Sequence, residues 1–345
     1  MQAFYFYHQH LEKVSRSFSF CISELASPSK EWVALSYLLL RVVDTIEDAL
    51  WQDRYIQQEA FAVFKLFLKN TPSEKQLLEW VALFPEQMIL EEKNLLLDLP
   101  LLLTDKNQLP SEIKNELIDT MVQMIEGMSY FLSQYNRESR TSVPSLTITN
   151  QYCFFVAGIV GNLLSRIFTY VLSGLKWTTI LLNQSFHFGF FLQKINLLKD
   201  SEADKSLGRC YFSSRESLRA SLVINARYAM DYLKRIPIIE GRPYRLFCAW
   251  SLFIGLASLK WLDKNWQLQQ NFKIKPRETY YIINQVRQLI DDNHALEKLF
   301  NSYLPEHNKI MPIESKHSMP SWFHAIYPDD GESINWLELG MIDIS

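Results

Sequence analysis

Two short stretches place carboxylates where apolar side chains would be expected. In "LLLRVVDTIEDAL", residues 38–50, Asp44, Glu47 and Asp48 come directly after an apolar run. In "FLQKINLLKDSEAD", residues 191–204, Asp200 and Asp204 close a segment made mostly of Phe, Leu and Ile. A spacing of four stacks the aspartates of each pair one helical turn apart. Tyr37 and Arg41 continue the first strip, and Gln193 and Asn196 continue the second. With 38 acidic residues in 345, chance alone gives about four acidic pairs at that spacing, and most such pairs are solvated faces. The apolar context sets these two apart. Stacked like charges repel, and a buried unpaired carboxylate costs far more, so a cation is expected beside them. Hard oxygen donors with no His or Cys nearby suit Mg²⁺, with Mn²⁺ as the alternative, bridging carboxylates to substrate phosphates. Two facing strips in a helical protein imply a diphosphate substrate.

The elements that must hold these strips are helices. Apolar residues recur at spacings of three and four nearly throughout, and sustained alternation is absent, so the chain reads as all-α. "TPSEKQLLEW" reads as a helix start with Thr71 as N-cap, Pro72 at the first position and Glu74 closing a capping box. Another helix starts at Ser111 and runs about 24 residues. Further helices fit 30–50, 75–93, 147–174, 178–206, 214–235, 243–267 and 277–302. The breaks between them are short, as in a single bundle. We expect one helical domain over 1–304. From about Pro305 the helical pattern gives way to Pro, His, Asp and Trp, which reads as a surface tail over 305–345.

Composition removes several classes. A net charge of −3 gives no reason to expect nucleic acid as a partner. Only 10 glycines are present, and neither GxGxxG nor GxxxxGK[ST] occurs, so no glycine loop cradles phosphate here. The four cysteines form no CxxC pair and read as reduced thiols. "MQAFYFYHQHLEK" lacks the pattern of a signal peptide. The apolar stretches 152–164 and 246–259 are short for a bilayer span and read as core helices. The stretch "NWLELGMIDIS" is neither long nor apolar enough to span a bilayer, so no membrane anchor is expected there. We therefore expect a cytoplasmic monomer that touches membranes only transiently.

The residues resemble a known family, the squalene/phytoene synthases, which are head-to-head condensing prenyltransferases. "YLLLRVVDTIED" looks like the first aspartate-rich motif and "FLQKINLLKDSEAD" like the second. "YCFFVAGIVGNLLSRIF" is similar to the block between them, and "SRSFSF", residues 15–20, to the N-terminal substrate-binding segment. "GMSYFL" and "FCAWSLFIGLASL" also fit, the latter nearer the squalene synthases. Six blocks in the expected order, over about residues 10–290, make the resemblance specific.

The resemblance implies a bundle of the isoprenoid synthase type with a central apolar cavity. It implies that Asp44, Glu47, Asp48, Asp200 and Asp204 hold Mg²⁺ against two farnesyl diphosphates. Ser15, Arg16, Phe18, Gln193, Asn196, Lys199 and Arg209 would bind substrate, and Tyr37, Arg41, Tyr152 and position 155 would serve catalysis. "KIKPR" matches a basic patch that serves NADPH, with Lys273 and Lys275 as phosphate contacts; a solvated helix start is the plain alternative. The implied reaction joins two farnesyl units into a cyclopropyl diphosphate, which is then ionised and reduced to squalene. Proton loss instead of hydride transfer would give a dehydrosqualene. The chemistry suits the composition, since a departing diphosphate needs counter-charge and the carbocation needs aromatic walls shielded from water.

Two positions depart from the pattern. The second motif, usually DxxED, reads "DSEAD", with Ala203 in place of the acid. The family's YCxYVAG block has Phe155 at its second tyrosine, keeping the ring and losing the hydroxyl. Three readings stay open: Tyr152 or Tyr37 supplies the hydroxyl, the product is altered, or condensing activity is small. The rival functions are a dehydrosqualene or phytoene synthase, and a non-catalytic member that binds isoprenoid diphosphates or a protein partner. Restoring the hydroxyl with Phe155→Tyr is expected to raise turnover.

Overall fold

The computed structural model describes residues 4–134, 144–207, 209–264, 274–304, 319–327, 334–336 and 338–342. Among the described residues the regular structure is entirely helical, which agrees with the all-α reading. The chain divides into two compact units, residues 1–130 and 131–345.

The first unit holds α1 (Phe4–Val14), α2 (Arg16–Ser23), α3 (Ser29–Asp48), α4 (Arg54–Lys69), α5 (Glu74–Val81), α6 (Leu90–Leu97), α7 (Leu99–Lys106) and most of α8 (Ser111–Gln134). Its centre is α3, which touches α1, α2, α4, α6 and α7. Leu35, Leu38, Leu39, Val42, Val43 and Ile46 are fully buried, so apolar side chains cover most of the circumference of α3. Its last carbonyls are capped by side chains. Ile46 O accepts hydrogen bonds from Trp51 Nε1 at 2.7 Å and Gln57 Nε2 at 3.0 Å, and Gln57 Nε2 also reaches Glu47 O at 3.1 Å. These bonds satisfy end groups that the helix leaves open, and they fix the end of α3 that carries the first acidic strip.

Several helix boundaries differ from the sequence reading, and the helix read over 147–174 is interrupted by a π-turn at Phe154–Gly158. The N-cap of α5 is Ser73 rather than Thr71, and Gln76 completes its capping box. That helix stops at Val81 and α6 starts only at Leu90, because Pro85 between them cannot continue a helix. The helix read over 277–302 is likewise two, α14 (Pro276–Leu289) and α15 (Asn293–Tyr303). Asp292 caps the second by accepting from the His294 and Ala295 amides at 2.8 and 3.1 Å.

The second unit contains α9 (Leu146–Cys153), a π-turn (Phe154–Gly158), α10 (Ile159–Val171), α11 (Thr179–Ser206), α12 (Arg215–Arg235), α13 (Arg242–Lys264), α14, α15 and α16 (Ser321–Ile326). Its centre is α11, which touches α9, the π-turn, α10, α12 and α13. Two glycines let the chain approach closely. A Cβ at Gly161 would stand 2.2 Å from Ser185 O, and one at Gly189 would stand 2.2 Å from Ala157 O. Any side chain at either position would force the helices apart.

The described stretches beyond residue 304 are packed against this unit. Phe323 of α16 is fully buried, with its ring 5.2 Å from Phe154 and 5.1 Å from Phe155. Asn150 Nδ2 donates to Gly340 O at 2.7 Å, and Gln151 Nε2 donates to Met341 O at 2.8 Å. Residues 146–171 and α13 are long and apolar enough to cross a membrane, by length and composition alone. Their apolar windows are 50% and 72% buried in the fold, as core helices would be. All four cysteines are free thiols.

Candidate active site

On α3, Leu38 to Leu40, Val42, Val43, Thr45 and Ile46 are buried, while Tyr37, Arg41, Asp44 and Asp48 occupy the less buried strip. The helical period that the sequence predicts therefore sorts the side chains as expected. The guanidinium of Arg41 stands over this strip. Its Nη2 donates to Glu92 Oε1 of α6 at 2.6 Å, and its Nη1 lies 4.0 Å from Asp44 Oδ2. Asp44 retains 35% side-chain exposure. Even so, desolvation pushes its pKa up to about 7, with Arg41 pulling down and Asp48 and Glu92 pushing further up. Burial works against the charge on Arg41, but Asp44 and Glu92 overcome it and raise its pKa. A carboxylate this reluctant to ionise is a place where a cation would be welcome.

Residues of α2 join this cluster. Burial raises the phenol pKa of Tyr37, with the nearby Ser15 hydroxyl pulling the other way. The Phe18 ring is 5.3 Å from the Tyr37 ring. Ser15 is the N-cap of α2 and Arg16 its exposed first residue. The first unit thus brings together Ser15, Phe18, Tyr37, Arg41 and Asp44, and it adds Glu92.

On α11, Gln193, Asn196, Lys199, Asp200 and Asp204 lie on the less buried side, while Ile195, Leu197, Leu198 and Ser201 are buried. The end of this helix continues into Arg209, whose backbone N–H donates to Asp204 O at 2.7 Å. Lys194 anchors the opposite side of α11. It is fully buried, and its Nζ donates to Ser221 Oγ at 2.5 Å and Asn225 Oδ1 at 2.7 Å on α12. Burial lowers its pKa to about 8. Asn225 Nδ2 also meets His187 Nδ1 at 2.8 Å. Burial lowers the His187 pKa to about 3, so that ring is neutral.

Tyr152 is nearly buried at the end of α9, stacked on Tyr211 with ring centroids 4.9 Å apart. Phe131 meets it edge-on at 5.6 Å. Phe155 is on the π-turn, a local geometry frequent at functional sites. Its ring is wholly enclosed, among Phe154 at 5.3 Å, Phe323 at 5.1 Å and Trp322 at 6.2 Å. Lys275 is exposed as the N-cap of α14, where the open N–H groups of a helix start favour an anion. Lys273 lies outside the described residues.

Among the described residues, no group of three His, Cys, Asp or Glu side chains forms a metal cage on its own. Mg²⁺ seldom uses one. It takes one or two carboxylates and completes its shell with water and phosphate oxygens. A desolvated aspartate paired with a second one turn away fits that habit.

Glu92, Lys194 and Tyr211 are the neighbours that sequence reasoning missed. Glu92 stands beside Glu91 in the first turn of α6, and no local spacing marks its partner on α3. The family model described as squalene/phytoene synthase matches residues 11–226. The squalene synthase of Schizosaccharomyces pombe is 26% identical over 313 residues, covering 80% of this chain and 63% of that protein. The squalene synthase of Yarrowia lipolytica is 27% identical over 301 residues, covering 80% of this chain and 65% of that one. The chain therefore spans somewhat less than two thirds of these relatives' length. A solved complex of TcSQS with the ligand E5700 superimposes with a TM-score of 0.72 at 21% identity, over 87% of this chain and 89% of that one. That likeness establishes the fold.

Proposed function

The chain belongs to the squalene/phytoene synthase family, and within it we propose a squalene synthase-like transferase that joins two farnesyl diphosphates head-to-head, through a cyclopropyl diphosphate, to squalene with NADPH. The observation that carries this reading is the Arg41–Asp44 strip. A core helix turns one polar line outward, with a guanidinium beside a carboxyl that desolvation has pushed to about 7. Such a line has little purpose in a purely structural helix.

Asp44 and Asp48 would hold Mg²⁺ on the first strip, with Glu47 as their acidic neighbour, and Asp200 and Asp204 would do so on the second. Bound there, the metal supplies Lewis-acid neutralisation of a departing diphosphate. Arg41 would add counter-charge to a diphosphate at the first strip, and Lys199 and Arg209 to one at the second. Ser15, Arg16 and Phe18 seat the substrate at α2, and Gln193 and Asn196 bind beside the second pair. Tyr152 offers a π face to a carbocation, and Phe155, enclosed by other aromatic rings, helps to exclude water. Lys273 and Lys275 would take a phosphate of NADPH, which supplies the hydride. We further propose a cytoplasmic monomer that meets membranes only to release its hydrocarbon, and residues 1–304 as the catalytic domain.

A second reading is favoured by one observation. Phe155 has no hydroxyl, and aromatic rings surround it. A synthase that ends at a dehydrosqualene or phytoene without reduction would result if proton handling is altered there. Mg²⁺-dependent release of diphosphate from farnesyl diphosphate tests both enzymatic readings against a non-catalytic binding protein, which would release none.

A further inference from the structure

We infer, resting on that reading, that Glu92 is the positioning residue of the first acidic strip: it holds the Arg41 guanidinium off Asp44 and aims its remaining donors at a diphosphate. Arg41 has three nitrogens in three different situations. Nη2 is held by Glu92 Oε1 at 2.6 Å. Nη1 is 4.0 Å from Asp44 Oδ2, too far for a hydrogen bond. Nε is buried and makes no hydrogen bond.

Each situation has a physical consequence. Glu92 comes from α6, and its side chain is only 15% exposed against 25% for Arg41. A charge-assisted bond in that setting is strong enough to fix a planar group. Without it, the nearest carboxylate to Arg41 is Asp44, three residues along the same helix, and a direct i,i+3 pair would form. Asp44 would then be committed to Arg41 and less available to a metal. The buried Nε–H is costly to leave unmade, and a ligand oxygen would satisfy it. Glu92 therefore does two things at once. It keeps Asp44 for the cation and keeps two edges of the guanidinium for the anion.

The test measures binding without turnover. Inorganic diphosphate is titrated into the full chain in Mg²⁺ by calorimetry, for wild type, Glu92→Ala, Glu92→Gln and Arg41→Met, and for the Glu92→Ala/Arg41→Met double variant. Melting temperatures confirm that each variant is folded. Glu92→Ala is expected to weaken Mg²⁺-diphosphate binding by roughly 10- to 100-fold, the usual effect of removing a group that orients a ligand. Glu92→Gln keeps an acceptor and should recover most of it, also serving if the alanine variant does not fold. In the Arg41→Met background the alanine change should have almost no further effect. Equal affinity in wild type and Glu92→Ala, or an undiminished effect without Arg41, overturns the role given to Glu92. Absence of Mg²⁺-diphosphate binding by wild type overturns the functional reading itself.

Discussion

The ring of Phe323 lies 5.1 Å from that of Phe155, and both side chains are fully buried. A residue near the end of the chain thus closes over the position where the family's tyrosine is missing. A hydroxyl added by Phe155→Tyr enters an aromatic surround, and burying it without a partner costs about 1–3 kcal/mol. The melting temperature should fall by several degrees, while turnover per folded molecule rises. Unchanged turnover would show that the hydroxyl at this position does not limit the reaction.

Asp44→Asn separates the stability of the strip from its chemistry. Desolvation disfavours the ionised carboxyl, so the neutral amide should stabilise the metal-free fold. Its 35% exposure tempers the gain to about 1 kcal/mol. Diphosphate release should drop by about 10²-fold or more, as when a charge-stabilising group is removed. A variant that is more stable and still fully active would remove Asp44 from the site.

Lys194 predicts a pH effect on stability. Its folded pKa is about 8, below the ordinary value of 10.5, because burial disfavours the cation. Between those values the unfolded chain binds more protons than the folded one, so this group makes stability rise with pH. The contribution reaches at most about 1.4 kcal/mol per pH unit. Denaturant unfolding at pH 8 and pH 9.5 should show this rise in wild type and lose it in Lys194→Met. An identical pH response in the two proteins would mean that burial does not lower the pKa of Lys194 in the folded chain.

Truncation after Leu304 tests the proposed division between domain and tail. Removing residues 305–345 uncovers Phe154 and Phe155 and leaves the Asn150 and Gln151 amides without the Gly340 and Met341 carbonyls. The shortened chain should melt well below the full one and expose apolar surface to a hydrophobic dye. Equal stability would show that 305–345 contributes nothing to the fold. Gly340→Ala is a milder version of the same test. Its φ of +66° disfavours a side chain, and a Cβ would meet Asn150 Nδ2 at 2.7 Å.

The two acidic strips were legible because polar residues at helical spacing stand out on apolar helices. The buried faces of α3 and α11 come from the same pattern. The partners were harder to read. Glu92 meets Arg41 across 51 positions of sequence, and no local spacing signals that. Lys194 sits between Gln193 and Ile195 as a single charge, and a lone lysine ordinarily reads as exposed; only the acceptors on α12 show why it can be buried. The packing of α16 was hidden because Pro, His and Asp interrupt the apolar period around Trp322 and Phe323. Helix ends were misread where two capping signals competed, as at Thr71 and Ser73.

Incubation with farnesyl diphosphate and Mg²⁺, with and without NADPH, and then mass-spectrometric identification of the extracted hydrocarbon, tests the central claim most directly. Squalene is expected, formed only when NADPH is present, together with release of diphosphate. Neither hydrocarbon nor released diphosphate under any of these conditions would contradict the assignment.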